Sequence, residues 1–182
     1  MRKIITVFLL LIYYIDGSAQ TPSIATDNTD IRTFPSSNNQ SEISISINKN
    51  DPSNILVGAN TSPNAGLITL SSVKQGHYFT QNGGQTWSGA DHMPNNQDGY
   101  SDPSTCFDVD GDAFISTLSH APEQVLVQKS TNKGTTWGNS VTVSTTTQTK
   151  SDKEMIVAVD DNPNSPFVNH FYCVWNDVAS HQ

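Results

Sequence analysis

Arginine is almost missing from this chain, which carries only Arg2 and Arg32. Charged residues of all kinds make up 14%, with a formal net charge of -8. That balance excludes nucleic acid and anionic membrane surfaces as generic partners. Cysteine is scarce too: Cys106 and Cys173 stand alone among 182 residues, too few for a disulfide framework. Both lie in apolar strand-like runs, STCFDV and FYCVW, which is the setting of buried thiols rather than of a nucleophile or a zinc ligand. His77, His92, His120, His170 and His181 show no metal-ligand spacing, so no metal site is expected from them. There is no P-loop, no dinucleotide glycine fingerprint and no GxSxG elbow.

Long hydrophobic runs are confined to the N-terminus. Arg2 and Lys3 precede an apolar stretch from Ile4 to Ile15, and Gly17 and Ala19 supply the small residues that signal peptidase requires. The stretch is about a dozen residues where a spanning helix needs roughly 20. Residues 1–19 are therefore expected to be a cleaved signal peptide, followed by a linker over 20–37. The expected location is secreted, cell-surface or periplasmic, with no membrane span after cleavage.

What is abundant is Ser, Thr, Asn, Gly and Pro, the composition of short strands joined by many turns, so the expected fold class is all-β. Internal repetition sharpens this. TQNGGQTW, ending at Trp87, returns as STNKGTTW, ending at Trp137, which pairs Thr80 with Ser130, Asn82 with Asn132, Gly84 with Gly134 and Thr86 with Thr136. The register extends outward: Ser101-Asp102 aligns with Ser151-Asp152, and Ser41-Glu42 heads a looser copy. Each copy holds a β-branched run, a polar turn and a second run, as in ISISIN, KNDPSN and ILVGA. In the second copy QVLVQKS and SVTVSTT add another strand pair, with the box in the turn between them. Four antiparallel strands in about 50 residues make a unit the size of a propeller blade. A box repeated once per blade closes a hairpin and cannot be a single active site. Its Asn accepts backbone N–H bonds, its glycine takes a left-handed angle and its Trp packs into the sheet interface.

These boxes resemble the Asp-box, or BNR, repeat of sialidase-like β-propellers, Ser-x-Asp-x-Gly-x-Thr-Trp, with Asn in place of Asp. SDPSTCFDVDGDAFIS and the segment around FYCVWND look like inner-strand stretches of exported bacterial members. The resemblance implies an incomplete propeller over 38–182, with blades at about 41–100, 101–150 and 151–182, the last incomplete. About two and a half blades are too few to close a ring, since closed propellers use four to eight. The expectation is thus an N-terminal fragment of a longer protein, or a truncated reading frame.

The resemblance implies an exported propeller that binds or processes extracellular glycans or glycoproteins. Its alternatives are a non-catalytic binding or adhesion propeller and a non-functional fragment. If it is an enzyme, it is a glycoside hydrolase. In such propellers the first strand of each blade lines the central axis, which singles out Glu42, Asp102 and Asp152 as candidates for acid/base work or cation binding, beside a local-turn reading of the same residues. Arg32, in IRTFP, is the remaining catalytic candidate by resemblance, but sialidases grip substrate with three arginines and the mature chain has one. No nucleophile is assigned to Tyr78, Tyr100 or Tyr172. No cofactor is expected. Calcium is a weaker alternative at Asp108, Asp110 and Asp112, whose spacing lacks the distal Glu of an EF-hand and fits an Asp-Gly turn between strands.

Overall fold

The segment SEISISI alternates as a strand must, and it forms all but the first two residues of β1 (Asn39–Ile47). β1 runs antiparallel to β2 (Ile55–Ser62), which pairs with β3 (Lys74–Thr80), which pairs with the short β4 (Ser88–Ala90). A second meander repeats the order with β5 (Gly99–Phe107), β6 (Ala113–Ser119), β7 (Val125–Ser130) and β8 (Val141–Thr142). A third pair, β9 (Ser151–Ala158) and β10 (Phe171–Asp177), forms an antiparallel hairpin. This computed structural model describes residues 33–64, 72–95, 99–120, 122–144, 151–158, 162 and 164–177. All of them belong to one compact unit, Arg32–Gln182. The chain is all-β with antiparallel sheets, and among the described residues no helix is long and apolar enough to cross a membrane.

The first strands of the three units neighbour one another: β5 packs against β1 and β2 on one side and against β9 on the other. Between the first and second sheets lies a core of Leu56, Met93, Phe107, Ala113, Ile115 and Trp137, with Phe79 packed on it. Between the second sheet and the hairpin, the Phe114 and Phe171 rings stand 4.0 Å apart, and Leu118 and Val125 meet Cys173 and Trp175. Burial of these faces removes apolar surface worth about 25 cal/mol per Å², the main favourable term available to a fold with few charges.

Polarity in β1 runs opposite to intuition. Ser44 faces the neighbouring sheet, where its Oγ accepts from Thr105 N at 3.0 Å. The β1 isoleucines face out, with Ile43, Ile45 and Ile47 55–63% exposed. Pro103, Thr105 and Phe107 occupy the corresponding places on β5, and there they meet Gly58 and the Leu56 core. At the other end of the stack Tyr172 and Val174 of β10 are likewise exposed. Among the described residues none of the sheets closes on itself.

SVTVSTT is expected as a full strand; among its described residues Val141–Thr142 join the ladder. Cys106 is buried and Cys173 half-buried, and no disulfide joins them. The expected signal peptide, most of the linker, Arg32 and His181 lie outside the described residues.

Candidate functional site

β1, β5 and β9 each break their ladder at the same place. Ser41 pairs with Asn60 and Ser44 with Gly58; Ser101 pairs with Leu118 and Ser104 with Ser116; Asp152 pairs with Asn176 and Met155 with Val174. One extra residue is thus inserted in each first strand, a β-bulge. The first bulge residue is Glu42, Asp102 or Lys153, and all three have left-handed backbone, with φ of 49°, 55° and 49°. Non-glycine residues seldom adopt this conformation, and such strain gathers at functional sites.

The bulges aim these three side chains at one another. Lys153 Nζ lies 3.1 Å from Glu42 Oε2 and 3.1 Å from Asp102 Oδ2. Glu42 and Lys153 are largely open to solvent, whereas the Asp102 side chain is only 13% exposed. Behind the cluster, Asp102 N donates to Asn60 Oδ1 at 2.8 Å, and Thr117 Oγ1 donates to Ser101 O at 2.9 Å. These bonds hold the bulge. The hydrogen bond to Asp102 raises the Glu42 carboxyl above its usual range, against the pull of Lys153. Burial pushes Asp102 up, but the hydrogen bonds from Glu42 and Lys153 outweigh it and hold this carboxyl low. The same bonds, Asp102 first and Glu42 second, raise the Lys153 ammonium. The pair of carboxyls therefore divides its affinity for protons unequally around a fixed cation.

Asp152, expected as the third carboxylate, does not occupy the third bulge position. It sits in the register of Ser41 and Ser101, because the third copy carries one more residue ahead of its bulge than the Ser-Asp alignment allows. Lys153 takes that position and turns a supposed ring of like charges into an acid–base–acid cluster. Tyr78 is fully buried and Tyr172 lies on the exposed face of β10.

A second cluster was not legible in the sequence. Asp91 accepts from Ser36 Oγ, from Asn38 Nδ2 at 2.9 Å and from the Tyr78 hydroxyl at 2.8 Å, with Gln40 Nε2 at 3.4 Å. Burial raises the Asp91 carboxyl, and these hydrogen bonds more than reverse the effect. Asp91 borders a cleft of about 710 Å³ with Asn38, Lys74, His92 and Asn95. The carboxylate is spent on holding the segment that leads into β1.

The boxes sit at the other end of the sheets. In the first, Thr86 N donates to Asn82 Oδ1 at 2.9 Å, Asn82 Nδ2 to Thr86 Oγ1 at 2.8 Å, and Gly84 N to Thr80 Oγ1 at 3.0 Å. In the second, the same bonds join Thr136 and Asn132 at 2.8 Å each and Gly134 to Ser130 Oγ at 2.9 Å. Trp87 packs on the Val57 and Tyr78 cluster, and Trp137 enters the core between the first two sheets. The boxes also touch: Gln81 Nε2 donates to Thr135 Oγ1 at 3.0 Å.

Asp108 serves its own turn, accepting from Asp110 N at 3.0 Å and Asp112 N at 2.8 Å, while Lys129 pairs with Asp112 at 2.6 Å. Asn48 Oδ1 accepts from Asn50 N at 3.0 Å in the corresponding turn of the first sheet. Among the described residues no group of three or more His, Cys, Asp or Glu is placed to hold a metal ion. In comparisons with known proteins, no family model matches the chain and no curated sequence matches it.

Proposed function

We propose that the chain forms blades of an exported, sialidase-like Asp-box propeller that binds extracellular glycans at the mouth lined by its first strands. Two successive four-stranded meanders, each with a box in the turn after its third strand, support the blade reading. One observation carries the binding reading: Glu42, Asp102 and Lys153 converge from the same bulge position of successive units. Carboxylate oxygens accept sugar hydroxyls and an ammonium donates to ring and hydroxyl oxygens, so the cluster offers both halves of carbohydrate hydrogen bonding.

The test is a glycan array probed with the purified chain, alongside the Lys153→Ala and Asp102→Asn variants. Retention of one class of glycan, lost in both variants while their thermal melts stay cooperative, is the expected result. Absence of retention, or retention indifferent to both changes, sinks the reading.

A hydrolytic version rests on the unequal carboxyl pair. Glu42, whose proton is held to higher pH, would act as the acid, with Asp102 as its ionised partner. The lysine clamp favours binding, because it neutralises the group that would otherwise attack. Turnover of a fluorogenic glycoside that vanishes in Glu42→Gln would decide for hydrolysis.

A further inference from the structure

The pairing of Ile55 with Thr80 and of Ala113 with Ser130 makes the first two sheets superposable residue by residue. Leu56, His77 and Phe79 of the first sheet then correspond to Phe114, Val127 and Lys129 of the second. On the facing side, Phe107 pairs with Ala113 and Ala158 with Phe171, so Ala113 and Ile115 correspond to Phe171 and Cys173.

At the first interface these residues build a slot for an indole. Leu56, Phe79, Ala113 and Ile115 pack with Trp137, and the His77 ring meets it edge-on at 5.8 Å. At the second interface the corresponding residues, Phe114, Val127, Lys129, Phe171 and Cys173, line an apolar groove of about 550 Å³ that Val141 borders. Neither box tryptophan reaches it, since Trp87 and Trp137 are committed elsewhere. Beside the groove runs a strand edge. β2 and β6 each pair with a third strand, whereas β10 pairs only with β9 among the described residues.

We propose that this groove and the β10 edge form a docking site for a partner segment of one chemistry: an extended apolar strand followed by a Ser/Thr-x-Asn-x-Gly-x-Thr-Trp turn. The strand adds to β10 as β7 adds to β6, with main-chain bonds giving affinity. Its tryptophan fills the groove as Trp137 fills the slot one sheet earlier, giving specificity. A segment without the indole leaves the groove unfilled and binds poorly.

The probe is a synthetic peptide spanning residues 122–144, which contains β7, the second box and β8. It is dye-labelled and titrated with the full chain by fluorescence anisotropy, with light scattering to report the size of the chain. Saturable one-to-one binding is expected, weakened at least about tenfold when the peptide carries Trp137→Ala, in line with the burial of a large aromatic. A comparable loss is expected when the protein carries Val141→Asp, a change at a 61% exposed groove residue that leaves the fold intact. Equal binding of the Trp137→Ala peptide, indifference to Val141→Asp, or no saturation at all would overturn the proposal. A chain that is dimeric and takes up no peptide assigns the groove to a second copy, which also overturns it.

Discussion

Gly134 of the second box lies against Phe79 of the first sheet so closely that a Cβ on it would stand 3.0 Å from both Cβ and Cγ of the ring side chain. Its φ is +93°, and Gly84, the matching glycine of the first box, has φ +88° with only ordinary contacts to Trp87. Gly84→Ala should therefore cost about 1 kcal/mol, the left-handed penalty alone. Gly134→Ala adds steric overlap in a packed interface and should cost about 2–4 kcal/mol in all. Urea unfolding of the two variants checks the order; equal losses would remove the packing role of Gly134.

Asn132 accepts from Thr136 N and donates to Thr136 Oγ1. Asn132→Asp keeps the acceptor for the N–H and offers a second to the hydroxyl, so its melting temperature should stay close to the parent's. Asn132→Ala orphans the turn and should cost about 1–2 kcal/mol. Thermal denaturation distinguishes them, and an Ala variant as stable as the parent would show that the box closes without its Asn.

Burial lowers the His77 imidazole from 6.5 to about 4, with a hydrogen bond involving the His92 backbone pulling weakly the other way. The folded value lies below the unfolded one, so the unfolded chain binds more protons between them. Stability from neutral His77 is present above pH 6.5 and is lost as pH falls toward 4, by an amount of the order of 3 kcal/mol. Unfolding free energies measured across this window should slope downward, and His77→Gln should flatten the slope. An unchanged slope would place the titration elsewhere.

Asp91 also has a depressed value, so its contribution is present above the ordinary aspartate value of 3.8 and fades below it. At neutral pH Asp91→Asn should cost about 1–3 kcal/mol, because donors from Ser36, Asn38, Gln40 and Tyr78 lose a charged acceptor. In acid the variant and parent should converge. Limited proteolysis near residues 33–40 at neutral pH offers an independent reading, with faster cleavage expected in the variant.

The antiparallel all-β class and the hairpins were legible because strand runs and turn residues alternate in plain view: ILVGA, AFIST and FYCVW became β2, β6 and β10. The boxes were legible for the same reason, their bonds joining residues no more than four apart. Lys153 was not. The Ser-Asp repeat aligns Ser151-Asp152 with Ser101-Asp102, and only the pairing of Asp152 with Asn176 reveals that the third bulge begins one residue later. Asp91 was hidden too, since its donors lie more than fifty positions away in Ser36 and Asn38 and carry no local pattern.

Local chemistry, then, was decided by the amino-acid sequence: which runs extend, where they turn, and which Asn and Gly close each box. A strand, an Asx turn and a left-handed glycine depend on neighbours within a few residues. The tertiary structure alone decided the charge of the candidate site and the direction of each sheet face. A bulge shifts every later side chain by one place, and whether Ile45 faces out while Phe107 faces in depends on which sheet lies beside it.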